Sequence, residues 1–315
     1  MAEMMKVSSN PHFRSKVTTA NIMMWVIIAL LPAAGVGIYT FGVDALIILV
    51  LSVASAVLTE YVYELLMHKE ITIRDCSAAV TGLLLGLNLP STVPWWLPII
   101  GSVFAILVVK MLFGGLGQNF MNPALGGRCF LVISFPALMT NFVTDAFSGP
   151  TPLAALKAGE NISIMTMITG IEAGTIGETS MIAIVAGACI LILLGIIDLR
   201  IPGSYIVSFV LFLILFGGHG VNGAYLSAHL AGGGLMLGAF FMATDYVSSP
   251  ITSKGKYIYG VILGILTGIF RVFGSSAEGV SFAIIIGNLM VPLIEKFTLP
   301  RAFGIPKESR KGAKA

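Results

Sequence analysis

Long apolar runs separated by short polar stretches form the pattern along this chain. A helix that crosses a bilayer needs about 20 mainly apolar residues, with a usual range of roughly 17 to 25. By this measure the sequence predicts ten membrane-spanning helices, of which the third is short and the fifth is interrupted at Gly126, Gly127 and Arg128. The predicted spans are 21–41, 43–66, 77–90, 97–113, 124–140, 181–198, 203–217, 226–243, 257–273 and 279–297.

The lysines and arginines indicate how these spans lie across the membrane. Nearly all of them precede span one, follow span ten, or lie in the loops that ten spans place on the same side as the termini. Lys157 and Arg271 alone fall on the other side. Because basic residues are enriched in cytoplasmic loops, both termini are expected in the cytoplasm, and the bias favours an even number of spans.

The predicted spans also divide the chain into five parts. A polar, basic segment, 1–20, precedes the first five spans in 21–140, and a basic cytoplasmic tail, 298–315, follows the second five spans in 181–297. Segment 141–180 between the two halves is then extracytoplasmic. An insert of this length between packed helices is long for a simple connector, and such loops are often functional.

An internal repeat is suggested by a glycine-rich string in each half. Residues 81–86 (TGLLLG) in span three resemble residues 233–238 (GGLMLG) in span eight, and both spans are third in their half. Because each half has five spans, the second half is inverted, an arrangement typical of transport folds. Chance recurrence of Gly-Leu strings is the alternative. The predicted fold is an all-α polytopic membrane protein of two inverted five-helix repeats.

Composition excludes several classes of protein. Of the 315 residues, 57% are hydrophobic and 10% are charged, whereas a soluble domain has about a quarter charged residues. A soluble enzyme, a nucleic-acid-binding protein and a secreted disulfide scaffold are therefore excluded. The three cysteines form no CxxC pair, and we interpret His219 and His229 as interfacial residues, so no metal site is expected.

The extracytoplasmic segment contains a turn followed by a helix start. Threonine is a favourable N-cap and proline is favoured at the first helical position, so Thr151 and Pro152 predict a short helix. On local physics alone this is a structural feature. A hydroxyl at a helix N-terminus can also carry a phosphate, because free N–H groups favour an anion there. Ser148 and Gly149 would supply a tight turn that keeps the hydroxyl accessible.

A polar, glycine-rich stretch, 113–128, lies between spans four and five. Gln118, Asn119 and Asn122 offer paired donors and acceptors that suit a planar heterocycle. A polar turn followed by an Asn-Pro helix start is an equally good interpretation. Arg128 would then simply extend its side chain to the membrane interface.

Three carboxylates lie near predicted cytoplasmic ends of spans. Asp245 closes span eight, and Glu60 and Glu64 lie one helical turn apart toward the end of span two. Ionisable groups at membrane depth are costly and usually functional, so these residues are candidates for ion coupling, with Lys110 as a partner for one of them. Solvation at the interface is the alternative interpretation.

Together these segments resemble a known family. It contains the RnfD subunits of the Rnf complexes, which are membrane-bound ferredoxin:NAD⁺ oxidoreductases, and, more distantly, the NqrB subunits of the Na⁺-translocating NADH:quinone reductases. The resemblance covers nearly the whole chain and is carried by residues 9–12, 115–128, 176–180, 229–250 and 271–281. It implies a subunit, not catalytic alone, of a multi-subunit translocase in a prokaryotic cytoplasmic membrane, with the other Rnf subunits as partners.

The resemblance also implies two flavins. The family carries FMN on its outer side, attached by a flavin transferase through the phosphate to the threonine of an Asp-x-x-Ser-Gly-Ala-Thr pattern. The matching residues are Asp145, Ser148, Gly149 and Thr151, with Pro150 in place of alanine. Relatives also hold a non-covalent riboflavin near the cytoplasmic end, for which Asn119 and Asn122 are the candidates.

The function that this resemblance implies is electron transfer coupled to Na⁺ or H⁺ translocation, with electrons passing inward through the FMN on Thr151. The inverted repeat by itself would also fit a solute channel or a secondary transporter without a redox role. A passive scaffold is a third interpretation. The sequence does not choose between Na⁺ and H⁺.

Overall fold

The computed structural model describes residues 17–142, 152–157, 173–274 and 279–300. Within these ranges the regular elements are helices, and each predicted span contains at least one. In chain order they are α1 (Thr19–Phe41), α2 (Val43–Leu66), α3 (Ser77–Leu87), α4 (Trp96–Val103) with a π-helical continuation (Phe104–Met111), α5 (Pro123–Ser134), α6 (Pro136–Met139), α7 (Pro152–Lys157), α8 (Met181–Leu193), α9 (Arg200–Phe216), α10 (Gly223–Ala231), α11 (Leu235–Leu237) with a π-helical continuation (Gly238–Met242), α12 (Ser253–Phe273) and α13 (Val280–Thr298).

Helix length separates full spans from partial ones. Helices α1, α2, α12 and α13 have 19 to 24 residues and are apolar enough to cross a membrane. Helix α10 and the α11 segment form a broken span with a bend of 61°. The remaining spans are shorter apolar helices of 10 to 17 residues. The prediction of an all-α polytopic membrane protein with short and broken helices is confirmed.

Helices of corresponding rank have the same packing partners in the two halves. Helix α2 packs against α4 in the first half as α9 packs against α12 in the second, and α4 packs against α5 as α12 packs against α13. The first helices of the two halves, α1 and α8, pack against each other. Their close approach requires a glycine at position 187, because an added Cβ would lie 1.9 Å from the carbonyl oxygen of Ala29. This pairing of ranks is the pattern that an internal repeat predicts.

The glycine strings that suggested the repeat have different conformations in the two halves. Gly82 and Gly86 lie inside α3 and allow it to approach α2 at Ser52. Gly233 and Gly234 have positive φ angles of 68° and 64° and form the break between α10 and α11. The strings therefore do not correspond position by position, and the similarity of the halves lies in how their helices pack.

Helix α5 runs unbroken through residues 126–128, so the predicted interruption there is wrong. A Cβ on Gly127 would lie 2.8 Å from the carbonyl oxygen of Gly101, which shows that this glycine serves close packing against α4. The helix instead ends before Phe135, and α6 starts at Pro136. Proline has no N–H to donate and restricts the residue before it, so the helix cannot continue unbroken across this point.

The end of the predicted extracytoplasmic segment is buried in the bundle. The backbone N–H groups of Ile176 and Gly177 donate to the carbonyl oxygens of Leu89 and Leu87 at 3.0 and 2.7 Å. Helix α3 ends inside the protein, where its last carbonyl groups have no water to bond to. Residues 173–180 therefore provide partners for the end of α3 instead of lying in solvent.

Candidate functional site

A cavity of about 90 Å³, here called the polar cavity, lies between α1, α3, α8 and the segments that lead into α5 and follow the second π-helix. Four residues that the sequence pattern singled out line it: Lys110, Asn119, Asn122 and Asp245. They come from two distant parts of the chain, 110–122 and residue 245. The tertiary structure therefore combines the predicted heterocycle site with one of the predicted ion-coupling carboxylates.

Lys110 provides the positive charge of this site. Its side chain is 2% exposed, and its Nζ lies 2.8 and 2.9 Å from the carboxylate oxygens of Glu60, which is 1% exposed. Lys110 also donates to the Oγ of Ser77 at 2.6 Å. The predicted pairing of Lys110 with a carboxylate is confirmed. The alternative interpretation, that Glu60 is solvated at the interface, is wrong, because helix packing encloses the pair.

Lys110 lies near the end of the π-helix Phe104–Met111. A π-helix widens the turn and is frequent at functional sites. A buried ion pair is stable only when its remaining donors and acceptors also find partners. The hydroxyl of Ser77 meets this need for the ammonium group.

Glu64 lies one helical turn after Glu60 on α2 and is also buried. Its carboxylate accepts from the backbone N–H of Thr72 at 3.1 Å and from the Thr72 hydroxyl, which lies 3.4 Å from Glu60 as well. Asp75 accepts from the N–H and the hydroxyl of Ser77 at 2.8 and 2.6 Å. The Thr72 hydroxyl thus links Glu64 to Glu60, and the Ser77 hydroxyl links Asp75 to Lys110, so three carboxylates and one ammonium group share a hydrogen-bond network.

Asn122 is the N-cap of α5. Its Oδ1 accepts from the first backbone N–H groups of the helix at 3.0 and 3.4 Å, and its Nδ2 donates to the carbonyl oxygen of Met242 at 3.3 Å. Asn119 donates to the carbonyl oxygen of Met121 at 3.0 Å. The Asn-Pro helix start is therefore confirmed. The amide of Asn122 additionally ties α5 to the second π-helix.

Asp245 lies just beyond the second π-helix and is partly buried. Its Oδ2 accepts from the hydroxyl of Ser248 at 2.8 Å. Burial raises the pKa of its carboxyl group above the ordinary value, against hydrogen bonds from Ser248, Val247 and Asn119 that lower it. A carboxyl group in this state exchanges its proton closer to neutral pH than an exposed aspartate does.

The size of the polar cavity limits what it can hold in this conformation. Its volume of about 90 Å³ is below the roughly 300–1,000 Å³ of typical small-molecule sites. The amides of Asn119 and Asn122 have the chemistry to bond a flavin ring. A riboflavin between them stays a prediction that requires the surrounding side chains to move apart.

Arg128 lies inside the bundle and is 5% exposed, so the prediction that it extends to the interface is wrong. Its Nη1 donates to the Oδ1 of Asn88 and to the Oγ of Ser281, each at 2.9 Å, and lies 3.7 Å from Glu178. These partners lie at the end of α3, at the start of α13 and in segment 173–180. The interrupted ends of helices supply polar groups inside the protein, and these groups satisfy the guanidinium.

Arg271 stabilises the break in span eight. Its guanidinium donates to the carbonyl oxygens of His229, Gly232 and Gly233, the last two at 2.9 Å. The aromatic ring of Phe209 lies 5.2 Å from the guanidinium carbon. Carbonyl groups at the C-terminus of a helix lack intrahelical partners and favour a cation. Arg271 is an arginine within the predicted span 257–273, and this is the signal in the sequence for a buried, partnered cation.

Lys110 and Arg271 occupy corresponding places in the two halves. Each is a buried cation within the last three residues of the fourth helix of its half. Their partners differ, because Lys110 faces a carboxylate whereas Arg271 faces backbone carbonyl groups. The two ends of the described bundle therefore share a plan but differ in charge.

The predicted flavin motif lies outside the described part of the chain: Asp145, Ser148, Gly149 and Thr151. Helix α7 follows Thr151 directly, which confirms the predicted short helix. Leu153 of α7 is buried, and both it and the Arg271 guanidinium pack on Gly233, where an added Cβ would lie 2.3 and 2.7 Å from them. The residues after Thr151 are thus anchored at the break between α10 and α11.

His219 and His229 both pack on the ring of Tyr225, with ring centroids 4.4 and 4.5 Å away. His219 is exposed, as an interfacial residue should be, whereas His229 is buried. The interfacial prediction is wrong for His229, because α10 packs over α9. In the described ranges no three His, Cys, Asp or Glu side chains are placed to hold a metal ion.

Comparison with known proteins identifies the family. A family model described as "NQR2, RnfD, RnfE family" matches residues 6–304. The chain is 48% identical to the subunit named D of the Na(+)-translocating ferredoxin:NAD(+) oxidoreductase complex of Acetobacterium woodii, covering 98% of both chains. It is 40% identical to the corresponding subunit of the proton-translocating ferredoxin:NAD(+) oxidoreductase complex of Clostridium ljungdahlii, covering 95% of this chain and 96% of that one.

A third relative extends the similarity to a more distant bacterium. The chain is 36% identical to the subunit of the same letter in the ion-translocating oxidoreductase complex of Vibrio cholerae, covering 95% of this chain and 99% of that one. The matches run across nearly the full length of every chain. The chain therefore belongs to the NQR2, RnfD, RnfE family.

Proposed function

We propose that this chain is the RnfD-type membrane electron-transfer subunit of an ion-translocating ferredoxin:NAD⁺ oxidoreductase complex. The observation that carries the proposal is similarity over the whole chain to subunits of complexes with that name. The chain acts in a translocase together with other subunits of the complex and is not catalytic alone.

The proposal includes FMN bound covalently to Thr151 through its phosphate, on the extracytoplasmic side. Helix α7 starts directly after this residue and is anchored next to Arg271. A short anchored helix restricts how far a group on the preceding residue can move from the bundle, and the Arg271 charge favours a phosphate nearby. FMN would supply the redox chemistry, while the protein supplies its position and electrostatics.

Ion coupling is proposed at the polar cavity and the adjoining Lys110–Glu60 pair, with Asp245, Glu60 and Glu64 as the coupling groups. The arrangement that supports this is Lys110, which lines the cavity together with Asp245 and is the counter-ion of Glu60. A change of charge at the cavity would alter the Lys110–Glu60 attraction, which is the electrostatic link that a redox-driven pump needs. Moving one charge against 100 mV costs about 2.3 kcal/mol. The relatives are named for Na⁺ in one case and for protons in another.

The flavin assignment is tested with Thr151→Ala. The complex is produced together with a flavin transferase and denatured, and the gel band of this chain is examined for flavin fluorescence. Thr140→Ala is the matched control, because Thr140 is an exposed threonine whose hydroxyl donates only to the carbonyl oxygen of Pro136 among the described residues. We expect fluorescence in the wild type and in the control and none in Thr151→Ala.

The other outcomes separate the alternatives. Fluorescence that persists in Thr151→Ala contradicts the assigned residue. A native complex without flavin in this band favours a channel or secondary transporter. Ferredoxin-dependent NAD⁺ reduction that survives unchanged in Thr151→Ala would mean that the chain is a passive scaffold.

The ion-coupling assignment is tested with Asp245→Asn. We expect ion transport into vesicles to fall more than flavin content, because Asp245 lies at the polar cavity and far along the chain from Thr151. Asp44→Asn, at an exposed aspartate in the first turn of α2, is the control. Equal losses of transport and flavin would indicate a folding defect and would remove the support for coupling at Asp245.

A further inference from the structure

A second cavity of about 460 Å³, here called the basic cavity, lies between the α8–α9 loop, residues 244–249 and the start of α12. Its polar lining includes Arg200, Lys256, Asp198 and Ser249. We propose that the basic cavity binds the phosphate headgroup of an anionic phospholipid. The proposed ion-coupling residues do not line this cavity, although Ile196, Ile197, Thr244 and Tyr246 line both cavities.

The charges around the basic cavity leave an excess of positive charge. The Nζ of Lys256 and the Nε of Arg200 lie 3.2 and 3.6 Å from the same oxygen of Asp198. Partial burial raises the pKa of Asp198, but the N–H of Arg200 and the ammonium of Lys256 outweigh this and hold the pKa below its ordinary value. The carboxylate is therefore ionised at neutral pH. Two cations share one anion, which leaves one positive charge for a phosphodiester.

The backbone around the cavity reinforces this preference. Helix α9 begins at Arg200, and α12 begins at Ser253, whose hydroxyl accepts from the Arg200 guanidinium. The N-terminus of a helix carries a partial positive charge. Two such ends, of helices 17 and 21 residues long, face the same cavity. Each adds to the positive potential from the side chains, although the N–H of Arg200 already donates to the Oδ1 of Asp198 at 3.0 Å.

Apolar side chains at the rim indicate a lipid as the source of the phosphate. Leu199, Tyr246 and Ile251 are exposed, Ile251 by 77%. Tyr246 lines the cavity, Leu199 lies in the chain between two lining residues, and Ile251 lies two positions after one. A soluble phosphate gains nothing from such a rim, whereas the first carbons of acyl chains can pack on it. The cavity lies at the ends of four predicted spans, six to nine, at the end of the bundle that the charge bias assigns to the cytoplasm. Anionic lipids give that leaflet its negative surface potential.

The proposal is tested on the purified complex in detergent by native mass spectrometry. Phosphatidylglycerol and phosphatidylcholine of equal chain length are added in equal amounts, and the bound fraction of each is measured. We expect preferential retention of phosphatidylglycerol. Arg200→Gln and Lys256→Gln should each weaken it about fivefold, the factor equivalent to about 1 kcal/mol per basic side chain near an anionic surface.

Two further variants test the direction in which retention of phosphatidylglycerol changes. Asp198→Asn should strengthen retention of phosphatidylglycerol, because it removes the internal competitor for Lys256 and Arg200. Lys254→Gln should leave it unchanged, because Lys254 is exposed in the same helical turn but does not line the cavity. A merely structural role for the ion pairs predicts the opposite for Asp198→Asn, namely a loss.

Several results would overturn the proposal. Equal retention of the two lipids by the wild type would do so, as would full retention in Lys256→Gln. Displacement of the lipid by inorganic phosphate alone would identify a soluble phosphate instead. Retention that appears only after another subunit is removed would identify a protein surface. The thermal midpoint of each variant is measured in parallel, and Asp198→Asn keeps the test valid if Arg200→Gln unfolds.

Discussion

Replacing Lys110 with methionine removes the counter-ion of Glu60 while it preserves most of the side-chain volume. Glu60 would then keep its carboxylate at a site that is 1% exposed, with the Thr72 hydroxyl at 3.4 Å as its remaining described donor. Neither helix packing nor solvent replaces the lost ammonium group. The substitution therefore tests whether this buried pair is essential for stability.

The size of the effect follows from the geometry. At the observed 2.8 Å, two unit charges attract each other by about 6 kcal/mol in a medium with an effective dielectric constant near 20. Desolvation of both groups offsets much of this attraction. Removing one partner of a buried pair typically costs roughly 3–5 kcal/mol, because the other charge is left uncompensated. The double variant Lys110→Met/Glu60→Gln should regain most of that loss.

The measurement is the free energy of unfolding of the purified chain in mixed micelles, titrated with sodium dodecyl sulfate. A double-mutant cycle compares both single variants with the double variant. Lys254→Met serves as the control, since an exposed surface change usually alters stability by less than about 0.5 kcal/mol. A loss below about 1 kcal/mol for Lys110→Met, the value of an exposed pair, would refute the reasoning. Additive effects of the two substitutions would refute it equally.

Three further predictions concern packing, capping and protonation. Gly187→Ala should destabilise the α1–α8 contact by about 1–3 kcal/mol, because its Cβ would lie 1.9 Å from a backbone oxygen of α1, whereas Gly35→Ala on α1 meets no atom within 4 Å and should be neutral or stabilising in the same unfolding assay. Arg271→Lys should lower the thermal midpoint and expose the α10–α11 break to protease, since lysine lacks the planar fork that bonds three carbonyl groups; unchanged protection would contradict this role. Folding raises the pKa of Asp245 above its ordinary value of 3.8. The protonated carboxyl group therefore contributes folding stability that is fully present below pH 3.8 and is lost as the pH rises through the folded-state pKa. The thermal midpoint of Asp245→Asn relative to wild type should therefore increase with pH, and a constant difference would count against the raised pKa.

The sequence predicted those elements that depend on neighbouring residues. The lengths of apolar runs located the spans, and the run at 77–90 indicated that α3 is short. Asn122 before Pro123 and Thr151 before Pro152 indicated two helix starts, because capping is decided within one turn. Glycine composition was less informative, since Gly127 serves close packing while Gly233 forms a break. The difference depends on which neighbouring helix each residue contacts.

Residue types alone identified Glu60, Lys110 and Asp245 as candidates, because ionisable side chains are costly at membrane depth. Asn119 and Asn122 were candidates because an amide offers both a donor and an acceptor. The sequence predicted that Lys110 pairs with a carboxylate but not with which one, since Lys110 and Glu60 are 50 residues apart. Arg128 and His229 were assigned to the interface, although both are buried. Nothing local to either residue indicates that interrupted helix ends or a folded-back helix will enclose it.

By itself the sequence determined that the protein is helical and lies in the membrane, because the hydrophobic effect and backbone hydrogen bonding act on every apolar run in the same way. The tertiary structure alone decided which charges are buried, and which carbonyl groups at broken helix ends are satisfied by Arg271 or by residues 173–180. It also placed Lys110, Asn119, Asn122 and Asp245 around one cavity. These outcomes depend on distances between residues far apart in the chain, and only the packing of helices sets those distances.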